Sequence, residues 1–203
     1  MHANQLVRID GTKDAANDAE EISDLYFAYG SNMNLQQIQL RCSRPQAVSA
    51  ARLDGYELAF FGYTEAWDGA METVEPKRGG TVWGVLFSLS RLNWERLDLW
   101  QDARMDGGGM YFHFPVTVTD VNGITHKVRL YKKDVLGEPL PPSCEYLDFI
   151  AQGAEQHHLP ADYIAALRQR PAVRASYAVP TRADTDLGES AGISCRTCDT
   201  GTV

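Results

Sequence analysis

Basic charge is what this sequence has little of: lysine and arginine together number 19 against 27 aspartates and glutamates, a formal charge of -8. A nucleic-acid groove or an anionic membrane surface calls for a clustered basic face, so neither is expected as a partner and a small molecule is. No apolar run approaches the length of a membrane span, and residues 1–24 lack the apolar centre and small-residue cleavage site of a signal peptide. A cytoplasmic location is the expectation. Cysteine is scarce too. Of the four, Cys42 and Cys144 are isolated and Cys195 and Cys198 form a lone Cys-x-x-Cys with no second pair, while His157 and His158 lie far away in sequence. Zinc needs four ligands at suitable spacing, so no metal is expected. A redox pair belongs at the head of a helix after a strand, whereas Ser194 to Cys198 sits in a Gly/Ser/Thr-rich stretch, which reads as two reduced thiols.

There is also no internal repeat and no low-complexity tract. At 203 residues, 44% of them hydrophobic, the chain can bury a core, and one domain with extensions is favoured over two. The division expected is an N-terminal extension over 1–24, a domain over 25–170 and a C-terminal tail over 171–203.

Within that domain, strand-like runs at Ala47 to Leu53 and Tyr56 to Phe61 flank Asp54-Gly55, a pair suited to a hairpin turn. Residues 64–80, with Trp67-Asp68-Gly69, Glu75-Pro76 and Gly79-Gly80, have the composition of a loop or of short interrupted strands. Thr81 to Leu89 reads as a central strand with Gly84 at a bulge or close approach. Ser90 caps a helix on which Trp94, Leu97 and Trp100 recur at helical spacing. Tyr111 to Thr119 and Thr125 to Tyr131 form a hairpin about Asn122-Gly123, and helices follow from Ser143 and Pro160. Six or more strands with three or four helices make an α+β fold: a small, mostly antiparallel, barrel-like sheet with surrounding helices.

The densest signal is Leu25 to Asn34, in which an apolar aromatic run stops at Gly30-Ser31-Asn32 and a short helical stretch follows, with Asn32 or Asn34 as its cap. Exposed N–H groups at a strand-to-helix turn suit a carboxylate or phosphate, although the same pattern also serves purely structural turns. The string Tyr26-Phe27-Ala28-Tyr29-Gly30-Ser31-Asn32-Met33 resembles the opening motif of the γ-glutamylcyclotransferase family. The likeness continues in order through Ala51-Arg52-Leu53, Val82-Trp83-Gly84-Val85, Leu97-Asp98, Gly109-Met110-Tyr111 and Pro141-Pro142-Ser143-Cys144-Glu145-Tyr146, covering about residues 25 to 168.

The resemblance implies an enzyme that needs no cofactor and cyclises a γ-glutamyl amine or amino acid to 5-oxoproline, releasing the amine, a cyclisation of acyltransferase or lyase type. Glutathione is one of the family's substrates. It also implies a substrate carboxylate on the amides of Tyr29, Gly30, Ser31, Asn32 and Met33, and phenols at Tyr111 and Tyr146 facing the substrate. The family's acid–base glutamate lies in a Leu-Asp-x-x-Glu motif, and here that register runs Leu97-Asp98-Leu99-Trp100-Gln101. A carboxamide at Gln101 can accept a hydrogen bond from an ammonium but cannot take up its proton. Three explanations stay open: an engineered isosteric replacement, a natural noncatalytic γ-glutamyl-binding or regulatory module, or a base supplied by Asp102 or Asp106.

Overall fold

The structure, a computed structural model, describes residues 25–104, 106–133 and 136–181. Among them five strands close a barrel in the order β1-β3-β2-β4-β5. Strand β1 (Leu25–Ala28) pairs antiparallel with the second half of β3 (Gly69–Ser88), and β3 pairs along its length with β2 (Gln46–Thr64). The hairpin of β4 (Tyr111–Asp120) and β5 (Thr125–Lys133) completes the ring, through an antiparallel contact of β2 with β4 and a parallel contact of Tyr26 with Arg129. Helices α1 (Leu35–Arg41), α2 (Arg91–Trp100), α3 (Cys144–Gln156) and α4 (Ala161–Arg168) surround it, so the α+β barrel-like arrangement expected from the sequence is present.

Two expectations about the first half are corrected. Asp54-Gly55 does not turn a hairpin: β2 runs straight through it, and Gly55, at φ +83°, sits at a register shift between the Asp54↔Thr81 and Tyr56↔Pro76 pairs. The left-handed backbone that Gly55 supplies makes a bulge here, an alternative use of the conformation that suits tight turns. Residues 69–80 are likewise part of one 20-residue strand, and the true hairpin turn is at residues 65–68. Merging these pieces brings the strand number to five among the described residues.

The core on the two faces of the sheet includes Phe27, Leu53, Leu86, Phe87 and Leu130, all at most 2% exposed. Each such side chain contributes about 1.5–3 kcal/mol on burial. β3 lies between β1 and β2 in the closed ring, and a Cβ at Gly84 would lie 2.3 Å from the Ala28 carbonyl oxygen, so the close approach to β1 excludes any larger residue. Helix α3 starts where Ser143 accepts the Tyr146 N–H and packs on the turn after β1. A Cβ at Gly153 would meet the Asn34 nitrogen at 2.5 Å. Gln156 accepts the Leu35 N–H at 2.8 Å and His157 Nε2 donates to the Met33 carbonyl at 3.0 Å. The turn is thereby clamped from behind.

Candidate active site

β1 ends at Ala28, and Ser31–Met33 form a single 3-10 turn before Asn34, whose side chain accepts the N–H groups of Gln36 and Gln37 as the cap of α1. Inside the turn, Met33 and Asn34 donate to the Gly30 and Ser31 carbonyls. Among the described residues no backbone acceptor takes the N–H of Ser31 or Asn32, the arrangement that suits an anionic ligand. Arg41, buried at the far end of α1, braces the turn by donating to Ser31 Oγ at 3.1 Å, to Asn32 Oδ1 and to Gln37 Oε1 at 2.9 Å. Its guanidinium lies 3.9 Å from the Trp100 ring centre, a cation–π contact that holds the end of α2 against the turn.

A cavity of about 190 Å³ opens beside Ser31, walled by Thr64, Ala66 and Trp67 of the β2–β3 hairpin, by residues 99–102 at the end of α2, and by Met110, Tyr111 and Tyr146. That is below the roughly 300 Å³ at which drug-sized sites begin, and so suits a ligand of amino-acid size. Glu72, which pairs with Phe60 across the ribbon, projects into it and is only 6% exposed. The Tyr146 hydroxyl donates to Glu72 Oε2, and the Tyr111 hydroxyl donates to the Glu72 carbonyl at 2.8 Å with Oε2 at 3.4 Å. The other oxygen lies against the turn: a Cβ on Gly30 would stand 2.0 Å from Oε1, so only glycine leaves room for this carboxylate. Burial pushes the Glu72 carboxyl up to about 7, opposed by the Arg41 charge and by hydrogen bonds from its own backbone and from Tyr111. A carboxyl with that pKa can accept and return protons near neutrality.

Known proteins resemble this chain over most of its length. The AIG2-like family profile matches residues 81–167. Gamma-glutamylcyclotransferase of Bos taurus is 36% identical over 147 residues, covering 70% of this chain and 75% of its own length. The chain belongs to the γ-glutamylcyclotransferase family. The Homo sapiens gamma-glutamylcyclotransferase is 33% identical over 78% of this chain and 84% of its own. A solved gamma-glutamyl cyclotransferase superposes with TM-score 0.72 at 30% identity, covering 80% of this chain and 96% of that one.

Against the γ-glutamylcyclotransferase pattern, the residues expected from the sequence fall as follows. Ser31, Gln101, Tyr111 and Tyr146 all line the one cavity, and Gly30 abuts Glu72. Tyr29 turns its hydroxyl to the Tyr131 carbonyl at 2.5 Å, Asn32 is held between Arg41 and the Tyr26 hydroxyl, and Met33 is fully buried in the core. Asp102 is at the cavity wall but ion-paired to Arg104 at 2.8 Å, while Asp106 accepts the Gly108 N–H and does not line the cavity. Asp98 accepts from the Tyr131 hydroxyl at 2.6 Å and pairs with His113 at 2.5 Å, which anchors α2 to the barrel. Glu72 was missed because its segment reads as loop. The available signal was a single carboxylate inside the otherwise uncharged run Gly69-Ala70-Met71-Glu72-Thr73-Val74. No group of three or more potential metal ligands occurs among the described residues, and no described helix is long and apolar enough to cross a membrane.

Proposed function

We propose that this chain cyclises a γ-glutamyl amine or amino acid to 5-oxoproline, with Glu72 taking the acid–base role that the family assigns to the position of Gln101. The observation that carries the proposal is the buried Glu72 carboxyl, its pKa raised to about 7, in the same cavity as Gln101, Tyr111, Tyr146 and Ser31. The substrate α-carboxylate sits on the turn N–H groups at Ser31 and Asn32, which brings its α-ammonium to Glu72. Glu72 removes a proton, the freed amine attacks the γ-carbonyl carbon, and the carbon–nitrogen bond to the leaving group breaks as that nitrogen is protonated. Two protons leave the α-nitrogen and two reach the departing amine, which leaves as an ammonium ion. One carboxylate relays both, and the phenols of Tyr111 and Tyr146, donating to the Glu72 carbonyl and carboxylate, hold it in place. No cofactor enters any step. Gln101 supplies an amide to orient the substrate, its neutrality sparing Glu72 a second negative charge in a small cavity.

The test is to incubate the protein with a panel of γ-glutamyl amines, γ-glutamyl amino acids and glutathione and to assay 5-oxoproline and free amine. Equimolar appearance of both from at least one substrate supports an enzyme. Calorimetric binding of γ-glutamyl ligands without any product would instead identify a noncatalytic binding module on the same scaffold.

A further inference from the structure

One wall of the cavity is the turn between β2 and β3, residues 65–68, which carries Ala66 and Trp67. Trp67 is 5% exposed and stacks on Tyr146, with ring centres 4.2 Å apart and planes at 23°, and Tyr146 in turn donates to Glu72. The turn closes the end of the β2–β3 ribbon. It is tied down by the segment that follows α4, which crosses back over it.

The ties are specific. Asp68, at φ +47°, accepts the Ser176 N–H at 2.6 Å and the Ser176 hydroxyl at 2.7 Å on Oδ2, and the Tyr63 hydroxyl at 2.7 Å on Oδ1. Tyr177 donates to the Glu65 carbonyl at 2.7 Å, and the Thr181 N–H to the Ala66 carbonyl at 3.1 Å. Further back the same segment is fixed to α3: Val173 bridges Ser143, and the Ala175 N–H donates to Glu145 Oε2 at 2.9 Å. A left-handed aspartate costs about 1 kcal/mol or more unless its surroundings hold it, and here three hydrogen bonds do so. They leave the Asp68 carboxyl below its usual pKa, so it is ionised at working pH.

We infer that Asp68 is a positioning residue for the catalytic carboxylate: by latching residues 171–181 onto the β2–β3 turn, it presses Trp67 on Tyr146 and keeps water from Glu72. The inference rests on the reading of Glu72 as the acid–base group and adds a distant determinant of its proton affinity. The charged and titratable groups around Glu72 are Arg41, the phenols of Tyr26, Tyr29, Tyr111 and Tyr146, and Asp102 on the wall of the same cavity. Asp68 contacts Ser176 and Tyr63, so its effect passes through Trp67.

The test is the ¹³C NMR titration of the Glu72 carboxyl in full-length wild type, Asp68→Gly and Asp68→Asn, with the KM for a γ-glutamyl amine measured on each. Glycine accepts the left-handed backbone without strain yet deletes all three side-chain bonds, so folding is preserved. Asparagine tolerates the same backbone and keeps an acceptor oxygen. Asp68→Gly is expected to lower the Glu72 titration midpoint by about half a pH unit or more, through admitted water, and to raise KM several-fold. Asp68→Asn should fall between Asp68→Gly and wild type. An Asp68→Gly midpoint indistinguishable from wild type overturns the inference, whatever the kinetics. Because the titration needs no turnover, absence of 5-oxoproline from wild type would count against the proposed activity while this midpoint still decides the role of Asp68.

Discussion

Replacing Glu72 by glutamine should make the protein more stable at alkaline pH while removing its activity. Burial raises the carboxyl from an ordinary value near 4.5 to about 7 in the folded chain. The folded state therefore holds a proton that the unfolded state has released between these values. The share of stability that depends on Glu72 is complete below about pH 4.5 and is lost as the pH rises through about 7. At about 1.4 kcal/mol per pH unit, that gap amounts to about 3 kcal/mol lost by pH 8. The carboxamide has nearly the same shape, still accepts the Tyr146 hydroxyl and carries no charge to desolvate, so Glu72→Gln escapes the loss. Urea unfolding of both proteins at pH 5, 6, 7 and 8 reads the difference. The variant should gain on the wild type from pH 5 to pH 7 and hold that gain at pH 8, where thermal melts should put its Tm roughly 6–12 °C higher. A constant difference across this range, or a variant that loses ground as pH rises, would refute the burial of an ionisable Glu72.

Three further outcomes follow from the same geometry. Gly30→Ala places a methyl 2.0 Å from Glu72 Oε1; because the carboxylate is enclosed, the expected cost is about 1–3 kcal/mol by thermal melt, with loss of turnover. Tyr146→Phe removes a donor to the Glu72 carboxylate and should move the acid limb of kcat/KM to higher pH, because hydrogen bonds to the charged form favour it. In the wild type, kcat/KM should rise through an apparent pKa near 7, since the base must be ionised to act; a limb far below that would mean that a carboxylate other than Glu72 is doing the chemistry.

Much of the site was legible because its parts are local. The turn at Gly30-Ser31-Asn32, the Asn34 cap and the helices opened by Ser90 and Ser143 each depend on short-range patterns, whereas Tyr111 and Tyr146 were singled out by the family resemblance and both line the cavity. Glu72 depends on pairing. Residues 69–80 carry Gly69, Pro76 and Gly79-Gly80, which punctuate like a loop, and only the ribbon formed with β2 makes them a strand. Pro76 and Gly79 fall where the register with β2 shifts, so residues that would break a regular ladder are absorbed at an irregularity. The same shift gives Gly55 its left-handed backbone, which imitates a hairpin signal. Which carboxylate reaches the cavity was therefore decided by long-range register, whereas Gln101 drew attention by its local motif alone.

The most direct trial of the central claim compares 5-oxoproline formation by wild type, Glu72→Gln and Gln101→Glu on the best γ-glutamyl substrate, across pH 6 to 9. Glu72→Gln should lose about a hundred- to ten-thousand-fold in kcat, the usual contribution of one acid–base group. Gln101→Glu should gain nothing near neutrality, and its acid limb should shift upward as the second carboxylate makes ionisation of Glu72 harder. Retention of wild-type turnover by Glu72→Gln, or an inactive wild type beside an active Gln101→Glu, would contradict the assignment and return the acid–base role to the end of α2.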